Sequence, residues 1–363
     1  MAELRFRGLL RDRERAHERS PSRDHERSLD GERHTAWSRR RVRALLAVLI
    51  TAAVVVPLTA ATRPSIPAPA PAALAPPTAA TLGEAYAANR ANAELASRMA
   101  AAHGDRHRAA SDRALAAPSR RLLSFDGRGS GRAVEVFGDL AHADRVAVLV
   151  PGSDTSLDTY ERFRAGAAAL HDRLPRPSGS RQTGSRRRAE PRTAVVAWLG
   201  YTTPGTISTT VITPTRAAEA APALREFIGT LRAVTGPDSH VILLCHSYGT
   251  VVCGRAAAHL DVTDLVLLGS PGIGVESAAD LHTRARVWAA RGADDWVGDV
   301  PHADADLFGT TVGFGTDPLS PSFGAHVFAA GSGGHSDYFT PGSASLANLA
   351  RIVLGDTREV TRA

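Results

Sequence analysis

The sequence predicts an α/β fold in which helices flank a mostly parallel central sheet. From about residue 120, short β-branched runs alternate with helical segments, a pattern that is typical of α/β domains. Two runs, VAVLV at 146–150 and VILLC at 241–245, are apolar throughout, as expected for strands buried on both faces. The second run leads abruptly into a serine and then into an Ala- and Val-rich helical segment.

The predicted elements define a domain over residues 119–358. Strands are predicted at 133–137, 146–150, 194–199, 241–245, 265–268, 287–289 and 327–329, and helices at about 156–171, 216–234, 248–260 and 344–354. The Ala-rich stretch 81–118 predicts one or two helices leading into the domain. The polar stretch 175–192 lacks core residues and predicts a surface insertion.

The chain before the domain divides into three parts. Residues 1–43 contain 13 arginines and 8 acidic residues, which gives this segment five of the six net positive charges, and their apolar side chains are few and scattered. Such a segment cannot bury a core, so we expect a disordered basic tail. Residues 44–62 are almost wholly apolar. Residues 63–80 are rich in Pro and Ala, which predicts an extended linker.

The apolar segment at 44–62 predicts a transmembrane or signal helix. Its 18 uncharged residues, 44–61, would span about 27 Å, just enough for a bilayer core. Arginines cluster before it, at 39–43, which predicts a cytoplasmic tail and places the α/β domain outside the cytoplasm. A single-pass anchor is favoured, and a cleaved signal peptide, including a twin-arginine signal, remains open. A buried core helix is the alternative that this flank disfavours.

Composition excludes several kinds of protein. The chain has no lysine, so it cannot carry a P-loop, a pyridoxal phosphate site, a Schiff-base aldolase site or a serine–lysine dyad. Outside the tail the net charge is close to zero, so we expect no nucleic-acid partner. No cofactor is implied. His302, Asp304 and Asp306 could be combined into a metal site, but no further His or Cys stands at ligand spacing, so no metal is expected.

The run Cys245-His246-Ser247-Tyr248-Gly249 predicts a nucleophile elbow. A buried strand precedes it and a helix follows, which is the context that a G-x-S-x-G motif requires in an α/β-hydrolase fold. The sharp turn presents the Ser247 hydroxyl above the sheet and needs small neighbours two residues away. Gly249 is such a neighbour, and Cys245 replaces the usual first glycine. The alternative role of Ser247 is that of a helix N-cap.

The acid and the base are expected later in the chain, in that order. Asp294 and Asp295 follow the strand predicted near 287–289, where an acid at the carboxyl end of a parallel strand belongs. Asp295 is favoured and Asp294 remains the alternative. His335 lies in a Gly-rich loop after the last strand and is the predicted general base. The side chain of His246 is expected to point away from the Ser247 hydroxyl.

Two backbone amides are predicted to stabilise the oxyanion. One belongs to Tyr248, directly after the nucleophile, and the other to Ser153, in the loop after the strand at 146–150. Cys245 and Cys253 flank the elbow eight residues apart. They could form a disulfide, but two unlinked packing residues are favoured because the strand–helix turn is expected to hold them too far apart.

Seven sequence blocks occur in order between residues 118 and 355. They are FDGRGSGRAVEVFGDLAHADRVAVLVPG (125–152), VAWLGYTTP (196–204), CHSYGTVVCG (245–254), LGSPGIG (268–274), DDWVGDVPH (294–302), FGTDPLSPSFGAHVF (314–328) and GGHSDYF (333–339). Together they resemble a family of actinobacterial α/β-hydrolases without a firmly assigned substrate. The resemblance implies a triad of Ser247, His335 and an aspartate of the DDW block.

These observations predict an exported or membrane-anchored serine hydrolase that cleaves a small-molecule or lipid carboxylic ester through an acyl-enzyme. Two alternatives remain open: an acyltransferase acting on a wall or lipid acceptor, and a non-catalytic α/β-hydrolase scaffold that serves as a binding module. The substrate pocket is expected to come from residues 273–283 and 300–325. Phe308, Phe314 and Phe323 would make its lining apolar, which favours acyl esters over peptides.

Overall fold

A computed structural model describes residues 66–175, 190–206, 214–300, 304–307 and 310–363. The predicted basic tail at 1–43 and the predicted transmembrane or signal segment at 44–62 lie outside the described residues, as does most of the predicted surface insertion. Within the described ranges, no helix is both long enough and apolar enough to cross a membrane.

Ten strands and six α-helices make up the described part of the chain. The strands are β1 (Leu122–Asp126), β2 (Arg132–Gly138), β3 (Arg145–Val150), β4 (Thr193–Leu199), β5 (His240–His246), β6 (Asp264–Leu268), β7 (Arg286–Ala290), β8 (Asp304–Leu307), β9 (Thr310–Gly313) and β10 (His326–Val327). The helices are α1 (Leu82–His103), α2 (Arg106–Leu115), α3 (Tyr160–Arg173), α4 (Thr215–Thr235), α5 (Tyr248–Ala256) and α6 (Ala344–Leu354).

Eight strands form the central sheet in the order β1-β2-β4-β3-β5-β6-β7-β10. The six strands from β4 to β10 in this order pair in parallel, whereas β1 and β2 are antiparallel to their neighbours. The prediction of a mostly parallel sheet flanked by helices is therefore confirmed. The sequence prediction missed β1, a five-residue strand at the edge of the sheet.

The two faces of the sheet carry separate apolar cores. Val148 on β3 belongs to the first core and its neighbour Leu149 to the second, because successive strand side chains point to opposite faces. Helices α4 and α5 cover the first core, and helices α3 and α6 cover the second. Full burial on both faces explains why β3 and β5 are apolar at every position between their ends, at 146–150 and 241–245.

A helical hairpin precedes the sheet, where one or two helices were expected. Helix α1 ends at Gly104, which adopts a left-handed φ of 92°, a conformation that suits glycine. The side chain of Asn89 on α1 donates hydrogen bonds to the carbonyl oxygens of Leu122 and Leu123, so the hairpin is joined to β1. Asn92 donates to the carbonyl oxygen of Ala70, which places this part of the Pro/Ala-rich linker along α1.

Candidate active site

Ser247 lies at the sharp turn between β5 and α5. Its φ of 54° is in the left-handed region, which is unfavourable for a residue with a side chain and marks a strained functional turn. A Cβ at Gly249 would lie 2.5 Å from the carbonyl oxygen of Pro151 and 2.7 Å from that of Val150. Only glycine fits there, because α5 approaches the end of β3 so closely. The turn therefore has the local geometry of a nucleophile elbow.

Cys245 and Cys253 form a disulfide with a Cα–Cα distance of 6.5 Å. The prediction of two unlinked packing residues is therefore wrong. Helix α5 turns back over the end of β5, and this brings the two Cα atoms within the range that a disulfide can bridge. Both cysteines are fully buried, so the bridge ties strand to helix on either side of Ser247.

His335 connects Ser247 to Asp295 through two hydrogen bonds. The Ser247 hydroxyl donates to His335 Nε2 over 2.8 Å, and His335 Nδ1–H donates to Asp295 Oδ1, also over 2.8 Å. The structure thus brings together the three residues that the sequence analysis named as nucleophile, base and favoured acid. This arrangement allows His335 to accept the serine proton while the carboxylate fixes its tautomer.

Asp295, and not Asp294, is the aspartate that contacts His335. The Asp295 side chain is buried and also accepts hydrogen bonds from the Val297 amide and the Tyr338 hydroxyl. Burial alone would raise its pKa, but the hydrogen bonds from His335, Tyr338 and Val297 outweigh that effect and lower the pKa to about 2. The acid is therefore ionised at neutral pH. Asp294 is exposed.

Three residues that shape the site had no role in the sequence analysis. Tyr338 donates to Asp295, and its signal lay in the GGHSDYF block, three residues after the predicted base. His246 donates from Nε2 to the carbonyl oxygen of His335 over 2.6 Å. A Cβ at Gly269, where φ is 53°, would lie 2.7 Å from Asp295 Oδ2. Gly269 lies in the LGSPGIG block, but its position next to Asp295 depends on a contact between segments distant in the chain, which the sequence does not show.

His246 is held in its neutral form by burial. Burial and the neighbouring His335 lower its pKa to about 4. Its ring lies 4.7 Å from the His335 ring, centroid to centroid. The expectation that His246 points away from the nucleophile left its function open, and the structure shows it in contact with the loop that carries His335.

The two predicted oxyanion residues lie beside the nucleophile. Tyr248 is the first residue of α5, and Ser153 follows Gly152 in the loop after β3. A Cβ at Gly152 would lie only 2.6 Å from Ser247 Cβ, so the absence of a side chain lets this loop approach the elbow. Ser153 and Tyr248 line the same cavity as Ser247.

A cavity of about 1030 Å³ contains Ser247 and His335. Its walls differ from the expected ones. None of residues 273–283 lines it, and Phe323 is buried in the first apolar core instead. Phe314 does line the cavity, and Phe308 lies outside the described residues. The sequence analysis missed the walls formed by α3 and residues 336–341. It predicted a helix and a loop there, but no pattern indicated that they line a cavity.

Among the described residues, no group of three or more His, Cys, Asp or Glu side chains is arranged to hold a metal ion. The His302, Asp304 and Asp306 combination lies outside the described side chains.

Comparison with known proteins agrees with the topology. Residues 126–305 match a family model described as alpha/beta hydrolase. Over this stretch, just under half of its length, the chain is similar to that α/β-hydrolase family. An uncharacterised protein of Mycobacterium tuberculosis is 31% identical over 255 residues, which cover 62% of this chain and 37% of that protein. An uncharacterised protein of Mycobacterium bovis is 32% identical over 183 residues, covering 47% and 64% respectively. The chain spans just over a third of the length of the first relatives.

Solved structures with similar folds were also found. XC6422 from Xanthomonas campestris, described as a serine hydrolase without lid, is 17% identical with a TM-score of 0.39, and the match covers 67% of this chain and 95% of that one. Esterase PE8 is 16% identical with a TM-score of 0.38, and the match covers 62% and 97%. Likenesses at this level carry no argument about chemistry. The fold assignment rests on the sheet topology and the family match.

Proposed function

We propose that this α/β hydrolase is a serine hydrolase that cleaves a carboxylic ester through an acyl-enzyme. The observation that carries the proposal is the continuous hydrogen-bond chain from the Ser247 hydroxyl through His335 to Asp295. A strained serine backbone at a strand–helix turn supports it. A non-catalytic α/β-hydrolase scaffold that only binds a partner would not require this alignment of nucleophile, base and acid.

The proposed reaction begins when His335 Nε2 accepts the proton of the Ser247 hydroxyl. The serine oxygen then attacks the ester carbonyl, and the backbone amides of Tyr248 and Ser153 donate to the resulting oxyanion. His335 returns the proton to the departing alcohol, which leaves an acyl group on Ser247. Water, deprotonated by the same histidine, attacks this acyl-enzyme and releases the acid.

Asp295 supports this cycle electrostatically. Its ionised carboxylate holds His335 Nδ1–H and stabilises the imidazolium that forms when the base is protonated. No step requires a metal or an organic cofactor. The proposed substrate is a small-molecule or lipid ester, and the size of the cavity beside Ser247 is at the upper end for sites that bind such molecules.

The test is labelling of the purified protein with a fluorophosphonate, which reacts with activated serines, together with ester turnover. Ser247→Ala is expected to abolish labelling and to lower kcat by about four to six orders of magnitude. The matched control is Ser332→Ala, an exposed serine in the His335 loop, which should keep both. Labelling that persists in Ser247→Ala would disprove the assignment.

Two alternatives have distinct outcomes in the same assay. A folded wild-type chain that neither reacts with the probe nor turns over any ester would be a non-catalytic scaffold. An acceptor alcohol is then added to the assay. If the product is a new ester with little free acid, the protein is an acyltransferase.

We further propose that the catalytic domain works outside the cytoplasm, either on a membrane anchor or after cleavage of a signal peptide. The arginine-flanked apolar segment at 44–62 supports export. The disulfide between Cys245 and Cys253 agrees with it, because disulfides persist in oxidising compartments.

Thiol trapping in intact cells tests this location. An alkylating reagent should leave both cysteines unmodified until a reductant is added to the denatured protein. Free thiols at both positions in freshly lysed cells would contradict export. Cell fractionation then separates the anchored form from the secreted form.

A further inference from the structure

The cavity beside Ser247 has one wall that the proposed ester cleavage does not use. We call it the apolar arm, and it consists of Leu149, Phe163, Gly166, Ala169, Leu244 and Phe339. All six side chains are apolar or absent. Leu244 lies three residues before Ser247 on β5, so the arm reaches about 10 Å from the nucleophile along that strand.

One face of helix α3 forms one side of the apolar arm. Phe163, Gly166 and Ala169 are three residues apart, which places them on the same side of a helix. Two of these positions, Gly166 and Ala169, are small, and both line the cavity. A Cβ at Gly166 would lie 3.2 Å from the Phe339 side chain, so Phe339 lies directly against the helix.

Charged groups lie at the opposite end of this helix face. Arg162 is in the first turn of α3 and lines the cavity, together with Asp154, which accepts a hydrogen bond from the Thr206 amide. Ala169 is seven residues beyond Arg162, about 10 Å further along the helix axis. The cavity therefore changes from polar to apolar along α3.

An apolar wall that is continuous with a nucleophile is suited to the hydrocarbon part of its substrate. We propose that the apolar arm binds an extended alkyl chain of the ester, and that Gly166, Ala169 and Phe339 set the chain length. This inference rests on the proposed function. The chain could belong to the acid or to the alcohol of the ester, since both would lie close to Ser247 during attack.

The experiment uses two series of esters with the full chain. The first series consists of nitrophenol esters whose acid lengthens from two to sixteen carbons. The second series consists of acetate esters whose alcohol lengthens. We expect kcat/KM to rise about fourfold for each methylene that enters the arm, and then to level off. The series in which it rises identifies the part of the ester that occupies the arm.

A variant on α3 tests the position of the chain. Ala169→Leu should lower kcat/KM increasingly as the chain grows, because the added side chain occupies the arm. Ala168→Leu, the neighbouring residue that does not line the cavity, should retain the wild-type series. Phe339→Ala should move the levelling point to longer chains. A loss that is equal at all chain lengths in Ala169→Leu would overturn the inference.

The two proposals can fail separately. If short esters are hydrolysed by a Ser247-dependent reaction but both series are flat, the apolar arm does not bind an alkyl chain and the proposed hydrolase function stands. If no ester is hydrolysed and Ser247 does not react with the fluorophosphonate, the proposed function itself is wrong and this inference with it.

Discussion

Two buried aspartates in this protein have opposite environments. Asp295 in the candidate active site and Asp112 on helix α2 are 5% and 1% exposed. Both oxygens of Asp295 accept hydrogen bonds, and its pKa is lowered to about 2. In the described part of the chain, Oδ1 of Asp112 has no hydrogen-bond partner. Burial raises the pKa of Asp112 to about 7, although the nearby Arg108 opposes the shift.

Both carboxyl groups are buried, so the difference in their pKa values comes from the hydrogen-bond donors around them. Three donors keep Asp295 ionised in a position where water could not solvate it. Among the described residues Oδ1 of Asp112 has no such donor, and because burial raises its pKa to about 7, Asp112 takes up a proton near neutral pH. The candidate active site contains a carboxyl group that stays ionised at neutral pH, whereas the α1–α2 hairpin contains one whose charge changes near neutral pH.

The largest expected effect comes from removing the charge of Asp295. Asp295→Asn should lower kcat by about 10⁴-fold, because an amide favours the wrong tautomer of His335. Asp294→Asn is the matched control at the adjacent, exposed position and should change kcat by less than about threefold, since surface substitutions away from a site have small effects. Steady-state ester hydrolysis measures both. Equal losses in the two variants would contradict the assignment of Asp295 as the acid.

A smaller loss is expected when the surroundings of Asp295 are crowded. In Gly269→Ala the new Cβ would lie 2.7 Å from Asp295 Oδ2, which should displace the carboxylate and lower kcat/KM by about 10²-fold. Gly324→Ala is the control, because Gly324 also has a positive φ but no atom within 4 Å of the added Cβ. Gly324→Ala introduces the same strain of a positive φ without crowding a neighbour, so it should retain kcat/KM. A similar loss in both would attribute the effect to strain.

Removal of one hydrogen-bond donor should raise the pKa of Asp295 towards that of Asp112. Tyr338→Phe takes away the hydroxyl that donates to Asp295 Oδ2, so the pKa of Asp295 should rise from about 2. We expect kcat/KM to fall about tenfold, since hydrogen bonds to charged groups contribute about 1.5–3 kcal/mol. Tyr86→Phe, on helix α1, removes a tyrosine hydroxyl far from the triad and should leave kcat/KM unchanged. An unaltered rate in Tyr338→Phe would show that two donors suffice.

The sequence predicted the parts of this molecule that depend on local patterns. Strand periodicity and the serine turn identified the parallel sheet and the elbow, and Gly-rich and Asp-containing loops after strands pointed to His335 and Asp295. The choice between Asp294 and Asp295 needed the structure, because it depends on which side chain turns inward after β7. The disulfide was missed for a similar reason, since the distance between Cys245 and Cys253 depends on how tightly α5 folds back.

The remaining features arise from contacts between distant segments. Gly269 matters because it touches Asp295, and the apolar arm forms where α3 meets residues 336–341. A single sequence gives no period or spacing for such contacts. The expectation for the pocket is right for Phe314, which lines the cavity, but wrong for Phe323 and for residues 273–283, because the aromatic residues were assigned to it by composition alone. Phe323 packs in the core, while the cavity wall comes from a helix with small residues.

The most specific test of the comparison concerns stability and pH. The folded-state pKa of Asp112 is about 7, above its ordinary value of 3.8. Between these values the folded chain retains a proton that the unfolded chain has lost, so stability should fall as pH rises from about 4 to 7. Asp295 has the opposite sign, and its contribution is present above about pH 4 and is lost as pH falls towards 2.

Urea unfolding at pH 5 and pH 8 can separate these contributions. One unit of pKa shift corresponds to about 1.4 kcal/mol, so Asp112→Asn should reduce the loss of unfolding free energy between the two pH values by at least that amount. Asp238→Asn, at an exposed position, should retain the wild-type loss. Glu135, whose pKa burial also raises to about 7, leaves a residual slope in every variant. If Asp112→Asn and wild type lose the same free energy, Asp112 is ionised in the folded state and the contrast with Asp295 is wrong.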